Sequence, residues 1–252
     1  MPEFDKVADV SKTLAVKADG TGTEWASGGM KNLGVYPTAN LEGTATLSLN
    51  LPRWCNSLTI ASTTSQITYL QINNLEIYDA ISFSTTYLDI KDFPKLVRPF
   101  FPDLRYCGQI RFRLLPEMTE IRLNMLRNWG SFIVEDCPKL TTLTFSNRQD
   151  ESWGVFRVTG APLLTSIGVL TSSKRFSKAI YLIDCAISLV NVEALLASLV
   201  ARDGTNYDFI YGKGAAIQIT GGTSAGLSAL SAAAIANKDA LVARGCTITL
   251  NP

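Results

Sequence analysis

The sequence predicts a mainly β protein with some α, a two-sheet β-solenoid followed by a strand–helix–strand segment that caps it. Three observations predict this. Short runs of alternating apolar residues recur every 22 to 24 positions through the middle of the chain. A proline returns at one register of that repeat. Near the C-terminal end the apolar spacing changes from the two of a strand to that of a helix.

The repeat is clearest between Phe132-Ile-Val-Glu-Asp-Cys-Pro138 and Phe156-Arg-Val-Thr-Gly-Ala-Pro162. Its first apolar positions are Leu88, Ile110, Phe132, Phe156 and Ile180, with steps of 22, 22, 24 and 24. Leu47/Leu49 and Leu70/Ile72 extend this first-strand series upstream at a looser step. A second strand is expected in each turn, at Leu58/Ile60, Ile81/Phe83, Leu104/Tyr106, Ile121/Leu123, Leu143/Phe145 and Ile167/Val169. One such turn cannot bury its inward row, whereas stacked turns share a core. The alternative is an antiparallel β-sandwich. Pro94, Pro116, Pro138 and Pro162, with Pro52 within a residue of the register, favour the solenoid. Hairpins have no reason to repeat a turn residue at that spacing.

Three regions follow: residues 1–45, an N-terminal cap or attachment segment; residues 46–200, the repeat; and residues 201–252, a C-terminal capping region. Within the first, Thr13 to Trp25 reads as a hairpin around Asp19-Gly20. Helical spacing covers Leu189 to Arg202, with Ser188 or Asn191 as its cap. A strand near Ala216–Thr220, an alanine-rich helix over Ser228–Arg244 ended by Gly245, and a strand at Thr247–Leu250 complete the tail. The Gly221-Gly-Thr-Ser224 loop is read as part of the cap, with anion binding as the other option. Gly212-Lys-Gly-Ala215 lacks the P-loop pattern.

Composition narrows the chemistry. Of 252 residues 46% are hydrophobic and 18% charged, enough for a core. Formal net charge is +1, so no nucleic-acid partner is expected. There is no histidine, which removes the commonest general base and metal ligand and excludes Ser-His-Asp and Cys-His chemistry within the chain. The five cysteines form no CxxC pair, so zinc is not expected, and buried reduced thiols are. Cys137 and Cys185 fall in one column with Phe93, Leu115 and Ala161, two turns and roughly 10 Å apart, too far for a disulfide. No carboxylate pair is placed for glycosidase work, and Asp150-Glu151 fall in an expected turn. Neither a signal peptide nor a membrane-inserting segment is expected.

Leu140-Thr-Thr-Leu-Thr-Phe-Ser-Asn147 and Ile67-Thr-Tyr-Leu-Gln-Ile-Asn-Asn74 resemble the core of leucine-rich repeats, with the asparagine one residue early. Glu135-Asp-Cys-Pro-Lys-Leu140 resembles the turn of irregular, cysteine-containing versions. The resemblance implies a leucine-rich-repeat-like solenoid. Ile217-Gln-Ile-Thr-Gly-Gly-Thr-Ser224, with Gly245-Cys-Thr-Ile-Thr-Leu-Asn251, resembles an ending of repeat-bearing proteins of tailed bacteriophages and some bacteria. Cys246 stands where those endings commonly carry tryptophan. That resemblance implies a virion or surface-exposed protein.

The functional expectation is therefore a non-enzymatic virion structural or adhesive protein of a bacteriophage-like particle, a tail, fibre or capsid-surface component. It would be assembled in a host cytoplasm and carry no cofactor and no metal. Its partners would be other virion proteins or a host surface receptor, with a homo-oligomer as an option. A bacterial leucine-rich-repeat interaction module unrelated to a virus is the second reading. A carbohydrate-active enzyme on a β-solenoid is the third. The candidate binding face is the outward row of the first strands: Tyr69, Gln71, Tyr87, Asp89, Arg111, Arg113, Arg157 and Tyr181, with Lys91 and Glu135 beside them. Trp129 and Trp153, each three residues before a first strand, are expected to pack in one corner.

Overall fold

A computed structural model describes residues 12–16, 23–27, 33–35, 46–50, 57–61, 66–73, 87–145, 151–152, 154–167, 179–201 and 215–252. Ile81, Phe83, Val169, Trp153 and Asp150 lie outside these residues.

Among the described residues the protein is mainly β with two α-helices, and its two larger sheets are parallel throughout. The strands are β1 (Lys12–Val16), β2 (Thr23–Ser27), β3 (Leu33–Val35), β4 (Thr46–Asn50), β5 (Ser57–Ala61) and β6 (Tyr69–Asn73). Then come β7 (Tyr87–Lys91), β8 (Arg98–Phe100), β9 (Tyr106–Arg113), β10 (Glu120–Leu123), β11 (Asn128–Glu135) and β12 (Thr142–Phe145). The last are β13 (Glu151–Ser152), β14 (Val155–Ala161), β15 (Ala179–Cys185), β16 (Ala216–Thr220) and β17 (Thr247–Leu250). Helix α1 (Leu189–Val200) precedes β16, and α2 (Ala232–Ala243) precedes β17.

β1 and β2 pair antiparallel, with Val16 opposite Thr23, and Asp19-Gly20 lie outside the described residues. From β4 to β12 successive strands alternate between the sheets. The even-numbered strands form the five-stranded sheet, in the order β12-β10-β8-β6-β4. The main path of the ten-stranded sheet runs β17-β16-β15-β14-β11-β9-β7-β5-β3, and β13 pairs with β11. That sheet crosses both expected region boundaries, at 45/46 and at 200/201.

The expected first-strand register is observed. Leu88, Ile110, Phe132, Phe156 and Ile180 are consecutive Cα partners, followed by Ile217 and Ile248. Upstream the phase is reversed. Leu58/Ile60 belongs to the ten-stranded sheet, with Leu58 opposite Leu88, while Leu47/Leu49 and Leu70/Ile72 belong to the five-stranded one. The second strand expected at Leu104/Tyr106 is instead β8, whose inward residue is the buried Pro99. Ile121/Leu123 and Leu143/Phe145 are second strands as expected.

The proline register has a local cause. In Leu115-Pro-Glu-Met118, Cys137-Pro-Lys-Leu140 and Ala161-Pro-Leu-Leu164 the fourth N–H donates to the first carbonyl at 3.0–3.1 Å. Proline at the second position presets the φ such a turn needs. Just before it the chain bends through a left-handed residue: Asp92, Leu114, Asp136, Gly160, Asp184 and Gly221 form one column, with φ between 55° and 72°. Three of their N–H groups stay in the ladder: Asp92 donates to the Arg113 carbonyl, Leu114 to Glu135 and Asp136 to Thr159. Aspartate tolerates this conformation and glycine meets no Cβ penalty, whereas leucine bears it in full.

Between the sheets lies one apolar core. Trp129, Phe132, Phe145 and Phe156 join its two walls. Phe132 stacks on Phe156 at 5.4 Å and meets Phe145 of the opposite sheet edge-on at 4.9 Å. Trp129 is fully buried, but it lies within β11 rather than before a strand. Glu151, expected in a turn, begins β13.

After β15 the helices take the connecting positions. Helix α1 buries Val192, Leu195, Leu196 and Leu199, and ends at Val200, two residues before the expected stop. Ser188 holds the cap position without a side-chain cap bond, and its hydroxyl instead accepts from Asn191 Nδ2 at 2.7 Å. Helix α2 starts at Ala232, not Ser228, because Ser231 caps it by accepting from the Ala234 N–H. Leu227–Ala229 form a 3-10 turn instead. Gly245, at φ 92°, follows the helix as expected.

Candidate binding face

Strand alternation sends every second side chain outward, so aligned parallel strands stack those side chains in columns. The ten-stranded sheet has three outward columns. The middle one runs Asp89, Arg111, Ile133, Arg157, Tyr181, Gln218 on consecutive strands. One flank holds Tyr87, Gln109 and Ser131, and the other holds Lys91, Arg113 and Glu135.

Six of the eight expected site residues, Tyr87, Asp89, Arg111, Arg113, Arg157 and Tyr181, therefore share this face. Tyr69 and Gln71 do not. They lie on β6, in the five-stranded sheet, because the strand phase is reversed upstream of β7. Gln109, Ile133 and Gln218 belong to the face and were missed, although the register that placed Arg111 also places them.

Within the face, Arg113 closes on Asp89 with two charge-assisted bonds, from Nε at 3.2 Å and from a short Nη2 contact. Asp89 is 5% exposed, so its charge is spent on Arg113 and not displayed. The hydrogen bond to Asp89, and then its charge, raise the Arg113 pKa against the opposing effect of burial. Arg111 donates to Gln109 Oε1 at 2.6 Å. The Arg157 guanidinium sits 5.1 Å from the centre of the Tyr181 ring, a cation–π distance.

The five-stranded sheet has an outward cluster of its own. Arg98 sits over Tyr69 at 5.1 Å and donates to Glu120 at 3.4 Å, while Arg122 reaches the other Glu120 oxygen at 2.5 Å. Phe100 packs against Tyr69 at 6.5 Å. None of the four residues of this cluster beside Tyr69, Arg98, Phe100, Glu120 and Arg122, was anticipated. Arg98 and Phe100 flank a proline, which hides the period-2 signal of a strand.

Among the described residues no three His, Cys, Asp or Glu side chains converge as metal ligands. Cys107, Cys137, Cys185 and Cys246 are buried, and among the described residues no disulfide joins them. Burial pushes the Cys137 thiol up to about 12 and the Cys185 thiol up to about 11. Both donate to strand carbonyls, Cys137 to Glu135 at 3.4 Å and Cys185 to Ile183 at 3.5 Å. Two N–H groups of the Gly-Gly-Thr-Ser loop, and that of the residue after it, donate within the chain. Gly221 N–H goes to Asn251, Thr223 N–H to the Cys185 carbonyl and Ala225 N–H to the Ile187 carbonyl. No helix among the described residues is long and apolar enough to cross a membrane.

Comparison with protein-family models, with curated proteins and with solved structures finds no significant match to this chain.

Proposed function

We propose that this chain is a leucine-rich-repeat-like β-solenoid capped by its strand–helix–strand tail, and that it serves as a non-enzymatic structural or adhesive protein of a bacteriophage-like particle. It presents the outward face of the ten-stranded sheet to a neighbouring virion protein or to a host receptor. The observation that carries the binding half is the middle column. It places Arg111, Ile133, Arg157 and Tyr181 in register on four adjacent strands, a mix of residue types favoured at interaction hot spots. Supporting the virion half is the resemblance of the tail to phage-borne endings. The Gly221-Gly-Thr and Asn251 parts of that ending are hydrogen-bonded to each other, so its two halves form one unit.

An antibody raised against the purified chain tests the virion half. Applied to density-banded particles from a producing culture, it labels them in electron micrographs on this reading. Label confined to the soluble fraction overturns it and favours a bacterial interaction module. Incubation with a polysaccharide panel addresses catalysis, where release of reducing ends would contradict the non-enzymatic reading.

A further inference from the structure

Five arginines project from the described strands, and they differ in how their charge is met. Arg98 and Arg122 share Glu120. Arg113 is held by Asp89. Arg111 and Arg157 make no ion pair among the described residues. Each is held by a neutral neighbour, Gln109 or Tyr181, and each has its Nε buried without a hydrogen-bond partner. Both are only partly buried. They stand on either side of Ile133, with which both are in Cα register. At about 4.8 Å between strands, their backbones are roughly 10 Å apart.

We propose, resting on the reading of this sheet face as the binding surface, that the Arg111–Ile133–Arg157 column seats an acidic amphipathic helix of a partner protein. Its axis crosses the strands. Carboxylates at positions i and i+7 meet the two guanidiniums, and an apolar side chain at i+3 or i+4 covers Ile133. The repeat lengths carry the choice. Seven helical residues rise about 10.5 Å and the i+3/i+4 residue falls midway on the same face. An extended peptide repeats its same-face side chains every ~6.7 Å and loses register with strands spaced at ~4.8 Å. Carboxylates, the anions an unmodified protein helix carries, are among the partners guanidiniums bind in fixed two-bond geometry. Gln109 and Tyr181 already hold the two side chains, which lowers the ordering cost of binding.

Fluorescence anisotropy with the full chain tests this. The probe is a labelled alanine-rich helical peptide with Glu at i and i+7 and Leu at i+4. A second probe has the same composition with the two Glu at i and i+5, off the common face. Polygalacturonate is the third. The first peptide is expected to bind, with affinity at least tenfold weaker for the isomer and for the R111Q/R157Q protein, and unchanged for R98Q. Equal binding of both peptides, binding of polygalacturonate alone, or no binding overturns the helix partner. Retention of R111Q/R157Q protein on particles then separates the two ideas. If the variant is shed although no peptide binds, only the helix partner fails. If it is retained, the face reading fails as well.

Discussion

Asn251 grips Gly221 from both sides of one residue. Its Oδ1 accepts the Gly221 N–H at 2.8 Å, and its Nδ2 donates to the Gly221 carbonyl at 3.3 Å. The same Nδ2 reaches the Ser224 carbonyl at 2.9 Å. The residue after β17 is thereby tied to the corner after β16. Removing the side chain in Asn251→Ala should cost about 2 kcal/mol in urea unfolding, since three hydrogen bonds are lost at roughly 0.5–1.5 kcal/mol each and water replaces some of them. Asn251→Asp should cost at least as much. It keeps the acceptor for Gly221 but turns a carboxylate oxygen toward two carbonyls.

The left-handed column gives a prediction whose sign depends on position. Leu114 holds φ 56° and is 52% exposed. Leu114→Gly should stabilise by about 0.5–1 kcal/mol, because relief of left-handed strain worth about 1–2 kcal/mol exceeds the entropy glycine loses on folding. Gly160→Ala, two strands further on at φ 69°, should destabilise by about 1 kcal/mol. Urea midpoints moving in the same direction for both would contradict this.

The upstream strands show where the sequence was ambiguous. Leu47/Leu49, Leu58/Ile60 and Leu70/Ile72 have the same alternation, and period-2 patterning reports a strand without reporting its sheet. Downstream, each proline turn marks the end of a ten-stranded-sheet strand and fixes the phase. Upstream, Pro52 follows the Leu47/Leu49 strand of the other sheet and points the wrong way. Leu58 also stands 30 residues before Leu88, outside the 22–24 step. Tyr69 and Gln71 therefore fall on the five-stranded sheet, apart from Arg111, Arg157 and Tyr181 on the ten-stranded one. The pairing of Arg113 with Asp89, 24 residues apart, was legible only once the strands were in register.

That pairing differs from a surface ion pair in a measurable way. Asp89→Ala leaves Arg113 without its two bonds beside a nearly covered site, and should lower stability by about 1–3 kcal/mol with little salt dependence. Lys139 and Glu117 also bond, at 2.7 Å, but with both side chains open to solvent at the surface. Lys139→Ala should leave the urea midpoint unchanged at physiological salt. Equal losses for the two variants would show that burial does not set the difference.

The thiols predict a loss of stability in alkali. Cys137 and Cys185 have folded pKa values raised to about 12 and about 11, above the unfolded range near 8.5. A raised value means that the folded state holds its proton longer. Their contribution is thus complete below the unfolded pKa and is lost as pH rises through the folded values. Stability should fall from about pH 9 upward, and less steeply in a Cys137→Ala/Cys185→Ala protein than in wild type. In the native protein at neutral pH, mass-spectrometric mapping should find both thiols unmodified by a thiol reagent.

The central claim is that the outward column of the ten-stranded sheet is the working surface. Its most direct test is a quantitative immunoblot of density-banded particles formed with wild-type, Arg111→Gln/Arg157→Gln or Arg98→Gln protein. The account predicts that the double variant falls to about a tenth of the wild-type amount or less, the loss of about 1.4 kcal/mol or more of binding. Arg98→Gln, on the other sheet, should stay at the wild-type amount. Equal amounts of all three proteins on the particles would contradict it.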